Sequence, residues 1–135
     1  MTFTSRHVNR ITFPKRWALV VEDDIDWQGK FLKFLSERFG PQGDFLVSAA
    51  PSGIFAGWQI QHVFPPTFIL LDHDLPYGNG QEVMQYLRSA SCSAPVCAVS
   101  GIPANNERLM SLGAKATARK DDWAALDAFL KSINL

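Results

Sequence analysis

The chain has 135 residues, enough for one domain around a single core and short of the length at which chains divide into two. Lys plus Arg equals Asp plus Glu at 13 each, so no net field draws the molecule to nucleic acid or to an anionic membrane, and any phosphate chemistry has to come from a local cluster. The two cysteines, Cys92 and Cys97, fit small hydrophobic thiols in a reducing cytoplasm rather than a disulfide, and no apolar run approaches the roughly 20 residues that cross a bilayer.

Residues 1–15 carry scattered Arg6, Arg10 and Lys15 and lack the apolar core of a signal peptide. They are expected to form a flexible arm, with "RITFP" as a candidate edge strand. From residue 16 on, apolar runs alternate with helical patterns. "WALVV" (17–21) reads as a strand buried on both faces, followed by a helix with Trp27, Phe31, Phe34, Leu35 and Phe39 on one side that stops at "GPQG". "DFLVSAA" (44–50) is the second strand, and 52–64 a weaker helix ended by Pro65 and Pro66. "TFILLD" (67–72) is the third strand, and the next helix opens with Asn79 and Glu82 at capping-box spacing. "APVCAVS" (94–100) is the fourth strand, with a short helix over roughly 104–112 behind it. "GAKATARK" supplies the fifth strand, and a last helix from Asp122 buries Leu126, Phe129, Leu130 and Ile133.

Five such units with short connections predict an α/β fold, a parallel sheet covered by helices on both faces. In open parallel sheets ligands bind beyond the carboxyl ends of the strands, which directs attention to the residues at the exits. Strand one ends in Glu22, Asp23 and Asp24; strand three in Asp72, with Asp74 two residues on; strand four in Ser100 and Gly101; strand five in Lys120. Three carboxylates about 4 Å apart repel by on the order of 4 kcal/mol per pair at an effective dielectric near 20, so the cluster calls for a cation. Oxygen ligands without thiolate or imidazole favour a hard ion, Mg²⁺, which shares its remaining positions with phosphate oxygens. Lys120 would pair with Asp72 at rest and with a phosphoryl oxygen when one is present, Ser100 would donate its hydroxyl, and Gly101 would leave room. Taken singly these residues are ordinary: "EDDID" alone reads as a helix N-terminus, and Asp72 with Asp74 as turn formers. Their meeting at one edge of one sheet is the signal. His73 reads as a solvent-side loop residue turned away from Asp72, and Trp58 and Trp123 read as helix packing.

Through "LVVEDD", "ILLDHDLPYGNG", "VCAVSG" and "GAKATARK" the sequence resembles the receiver domain of two-component response regulators over residues 16–135. The resemblance implies a flavodoxin-like, doubly wound (βα)5 sheet in strand order 2-1-3-4-5, with Asp72 accepting a phosphoryl group from a histidine kinase or a histidine phosphotransfer protein. It implies Mg²⁺ held by Asp23 directly, by Glu22 through water, by Asp72 and by the main-chain carbonyl of Asp74, with Ser100 as the switch residue and Lys120 as the family lysine. The activity implied is the domain's own phosphorylation and slow dephosphorylation, not turnover of a substrate. Thr117 stands where the family commonly has an aromatic residue, and Asp121 where it commonly has proline.

A receiver-like binding module that is not phosphorylated is one rival reading, against which the intact acidic set argues. A small Mg²⁺-dependent phosphohydrolase resembling the haloacid dehalogenase type would use Asp72 and Asp74 as a DxD pair, but a strand ending in "VEDD" precedes them. A variant group of receiver-like domains, proposed to act on cyclic phosphates, shares only the "LDHDL" run. The expectation is a stand-alone receiver acting through a protein target, with a phosphorylation-dependent homodimer as one outcome and neither nucleic acid nor membrane as partner.

Overall fold

The computed structural model describes residues 16–40 and 45–135. The expected arm at 1–15 and most of the "GPQG" stop lie outside the described residues. The elements are β1 (Arg16–Val21), α1 (Ile25–Phe39), β2 (Phe45–Ala50), α2 (Gly53–His62), β3 (Phe68–Leu71), α3 (Gly80–Ser89), β4 (Val96–Ala98), α4 (Pro103–Ser111), β5 (Ala116–Thr117) and α5 (Trp123–Ser132). The strands form one parallel sheet in the order β2-β1-β3-β4-β5, the flavodoxin-like arrangement.

Side-chain alternation explains why the central strands are apolar throughout. Leu19, Val21, Ile69, Leu71, Val96 and Ala98 face a core shared with α2, α3 and α4. Ala18, Val20, Phe68, Leu70, Cys97 and Val99 face the opposite core against α1 and α5. A strand sandwiched between two layers of helices has no face to give to water, so the runs lack polar alternation.

Four helices start where the sequence puts a capping side chain, α2 at Ser52, whose hydroxyl accepts the Phe55 N–H. Asp24 accepts the N–H groups of Asp26 and Trp27, Asn79 accepts that of Glu82, and Asp122 accepts that of Ala125, each satisfying donors that a helix start leaves open. The last two strands are shorter than the seven- and eight-residue runs expected of them. β4 keeps three residues and β5 two, because a ladder extends only as far as its neighbour runs alongside. Ser100 and Lys120 therefore stand in loops just beyond the strands.

Register aligns the exits. Val21 pairs with Leu71, Leu71 with Ala98, and Ala98 with Thr117. The ladder runs one residue further at the centre, where the Glu22 N–H donates to the Ala50 carbonyl at 3.0 Å and the Asp72 N–H to the Val21 carbonyl at 3.0 Å. Glu22 and Asp72 thus leave adjacent strands at the same height. They flank the point where successive helices change sides of the sheet, the position at which this architecture opens a crevice.

Candidate phosphoryl-transfer site

Oxygens of Glu22, Asp23 and Asp72 lie within 4.8 Å of one another. Glu22 is fully buried, Asp72 is 4% exposed, and Asp23 opens to solvent. Asp24, the remaining acid of "EDD", is spent on capping α1. The Lys120 Nζ reaches in from beyond β5, 2.7 Å from Glu22 Oε1 and 3.1 Å from Asp72 Oδ2. At rest the lysine therefore serves two carboxylates, not Asp72 alone. Asp72 Oδ1 accepts the His73 N–H at 2.8 Å, so both oxygens of Asp72 are engaged.

Electrostatics match this crowding. Burial pushes the Glu22 carboxyl up to about 7, and the neighbouring Asp72 adds to the effect while Lys120 and the Asp24 N–H offset part of it. Burial works to lower the Lys120 ammonium, but the contacts with Glu22 and Asp72 prevail and hold it above its ordinary value. Three carboxylates against one ammonium leave two negative charges when all are ionised. That uncompensated charge, on oxygens gathered within 4.8 Å with Asp23 open to solvent, fits a hard dication with oxygen ligands. Glu22, Asp23 and Asp72 are the residues able to hold it.

Asp74 sends its side chain elsewhere. Its carboxylate is largely exposed, with Oδ1 3.1 Å from His73 Nδ1 and Oδ2 accepting from Asn105 Nδ2 at 3.2 Å. His73 itself corrects the expectation of a solvent-side residue. Its side chain is 14% exposed and its Nε2 is buried with no hydrogen-bond partner among the described residues, the loop folding back so that the Gly80 N–H meets the His73 carbonyl at 2.9 Å. Gly101 faces open space, where an added methyl would meet no protein atom within 4 Å.

Ser100 is 2% exposed, and its Oγ accepts the Ile102 N–H at 3.1 Å. Its main chain is held by a residue that the sequence reading missed. Asn106 Oδ1 accepts the Ser100 N–H at 2.9 Å, and Asn106 Nδ2 donates to the Ser100 carbonyl at 3.0 Å. The available signal was spacing: Asn106 stands three residues before Leu109, on the inward face of a short helix. Trp27 packs on the inward side of α1 as expected, and its reach to the site lysine is what the sequence did not show. Its ring lies 5.6 Å from Lys120 Nζ and 4.3 Å from Lys30 Nζ, and it joins Phe31 and Trp123 in one aromatic cluster. Trp123 packs as expected, stacked on Phe34 at 5.1 Å. Trp58 does not. It is 54% exposed and lies between Phe55 and His62 on the outer side of α2. The small residues Ala56 and Gly57 face the protein there, Gly57 against the Tyr86 ring, which leaves the large side chains outward.

No protein-family model matches the chain, and no curated protein does. Solved structures match it across most of its length. A CheY-like response regulator receiver domain from Methylobacillus flagellatus is 25% identical, with 87% of this chain and 98% of that one covered at a TM-score of 0.72. A two-component response regulator from Clostridium difficile is 20% identical, with 89% and 96% covered at 0.73. The Vibrio cholerae chemotaxis protein CheY4 is 20% identical, with 87% and 98% covered at 0.69. The chain has the fold of CheY-like response regulator receiver domains.

Proposed function

We propose that the protein is a phosphoacceptor receiver in which Asp72 takes a phosphoryl group from the phosphohistidine of a kinase or phosphotransfer protein. The single observation that carries this reading is the convergence of Glu22, Asp23 and Asp72 oxygens within 4.8 Å, closed from one side by Lys120. A carboxylate oxygen of Asp72 forms the new bond to phosphorus as the bond from phosphorus to the donor nitrogen breaks, and the donor imidazole leaves with the electron pair. Glu22, Asp23 and Asp72, with the Asp74 carbonyl, would hold Mg²⁺, which would supply charge compensation on the transferring oxygens. Lys120 exchanges its contact with Asp72 Oδ2 for one with a phosphoryl oxygen. Ser100 turns its hydroxyl from the Ile102 N–H toward another, and Gly101 leaves the approach clear. Asp74, with its carboxylate on His73 and Asn105, supports a receiver over a hydrolase that needs a second acid at the metal.

The phosphorylated form signals through protein contacts. An open groove of about 460 Å³ lined by Pro103, Glu107, Met110, Thr117 and Arg119 runs between α4 and β5 with the loop that follows it, and suits a docking partner, a target protein or a second copy of the chain. Residues 16–135 act as the receiver domain, and a cytoplasmic setting goes with such a role. No helix among the described residues is long and apolar enough to cross a membrane.

The test is incubation with acetyl phosphate and Mg²⁺ followed by intact-mass measurement. Wild type should gain one phosphoryl group that is lost slowly, and Asp72→Asn should gain none. Sustained release of phosphate from small phosphomonoesters would instead identify a hydrolase.

A further inference from the structure

Past the end of β4 the backbone runs out of neighbours. The Val99 N–H still donates to the Leu71 carbonyl at 2.9 Å, and Ala98 is the last β4 residue in register with β5. Ser100 follows in a buried position, where an unpaired N–H and C=O would each be costly. The carboxamide of Asn106 answers both, accepting from one and donating to the other, as a residue of an adjacent strand would. Asn106 is 4% exposed and lies in α4 on the same face as the fully buried Leu109. By contrast, among the described residues the Ser100 hydroxyl is committed only to the Ile102 N–H.

We infer that Asn106 is a positioning residue that locks the main chain of Ser100 to α4, so that a shift of residue 100 toward a phosphoryl group on Asp72 carries the helix with it. The inference rests on the phosphoacceptor reading above and goes further, by assigning the link between the site and a surface. The two attachments differ in what they allow. Rotation of the hydroxyl costs one hydrogen bond and leaves α4 where it is. Translation of the backbone either drags Asn106 or breaks two buried hydrogen bonds at once, and dragging Asn106 moves Glu107, Arg108 and Met110, which face solvent on the other side of the same helix. Only an amide of this length fits. Leucine fills the volume with no polar atoms, and aspartate keeps the acceptor for the Ser100 N–H while losing the donor to its carbonyl.

The experiment records backbone amide spectra of the full chain with and without Mg²⁺ and beryllofluoride, a stable phosphoryl mimic, alongside acetyl-phosphate labelling of each variant. In wild type the amides of Ser100 to Ile102 and those of Glu107 to Met110 should both respond. In Asn106→Leu the first group should still respond and the second should fall at least about fivefold, the low end of ordinary coupling between sites. Asn106→Asp should lie between. An undiminished α4 response in Asn106→Leu overturns the inference. Should that variant fail to fold, hydrogen exchange in wild type decides: the Ser100 amide should be as protected as that of Val99 in both states, and loss of protection while α4 moves overturns the inference. Absence of Asp72 labelling in wild type would instead defeat the phosphoacceptor reading on which it stands.

Discussion

At Glu22 the chain commits a carboxylate to a position without solvent, and the cost shows in a carboxyl held up near 7 by burial. Glu22→Gln keeps the shape and removes the charge. Without metal the variant should melt at or above the wild-type temperature, since a desolvated charge is lost. With Mg²⁺ its affinity should fall by about 10–100-fold, as measured by the cation-induced rise in melting temperature. Cys97 gives a cleaner pH test, away from the acidic cluster. Burial pushes its thiol up to about 12 from an ordinary 9.0, so the folded state keeps the proton that the unfolded chain gives up. That contribution is fully present below pH 9 and is lost as pH rises toward 12, at about 1.4 kcal/mol per unit. Melting temperatures between pH 8 and 10.5 should therefore decline in wild type with a component that Cys97→Ala lacks, and in the native protein the half-buried Cys92 should react with a thiol reagent well before Cys97. At this scale, Asp72 and Glu22 were legible because each follows an apolar run, whereas Lys120, after the mixed segment "GAKATAR", was placed by its resemblance to the family lysine. Asn106 was not, nor was the contact of Trp27 with Lys120, because what matters in each is the non-local group that it meets. His73 was misjudged because strand alternation does not extend into a loop that folds back on itself.

Among elements, α1 and the first four strands were readable since their patterns depend on burial, whereas α2 spreads apolar residues around the helix and gave no clear inward face. Contact with α3 decides it. A Cβ at Gly53 would sit 2.0 Å from the Gly78 carbonyl oxygen, and the Ile54 N–H donates to the Tyr77 carbonyl at 2.8 Å, so the loop after β3 rests on the first turn of α2. Tyr77 and Gly78 adopt positive φ of 51° and 98° to do so. Gly53→Ala should therefore cost about 1–3 kcal/mol, the usual range for overpacking, and should disturb the loop that carries Asp74. Gly29→Ala is the control. It lies on the exposed side of α1 with nothing within 4 Å, and should stabilise by about 0.5–1 kcal/mol. Chemical denaturation of the pair measures both signs in one background. The shortness of β4 and β5 could not be read from either segment, because a strand ends where its partner's backbone departs.

Across the whole molecule, the strand order brings β1 beside β3, while the lysine from the loop after β5 crosses the crevice above β4 to reach both. The site is thus a contract among three separated segments, and its charge imbalance works against the fold until a cation arrives. Lys120→Met tests that directly. Two carboxylates lose their common counter-charge, and breaking a buried pair by removing one partner is costly; because the ammonium is partly open, a loss of about 1–3 kcal/mol is expected rather than the full penalty of a dry interior. Adding Mg²⁺ should recover a larger share of stability in the variant than it adds to wild type, since the dication substitutes for the missing ammonium. Lys120→Met combined with Glu22→Gln should be more stable than Lys120→Met alone, because the second change removes the charge that the first left unpaired. Unfolding curves for wild type, both single variants and the double variant give the coupling energy. Simple additivity would mean that Lys120 and Glu22 do not share one electrostatic site, and the convergence on which Asp72 chemistry depends would lose its physical basis.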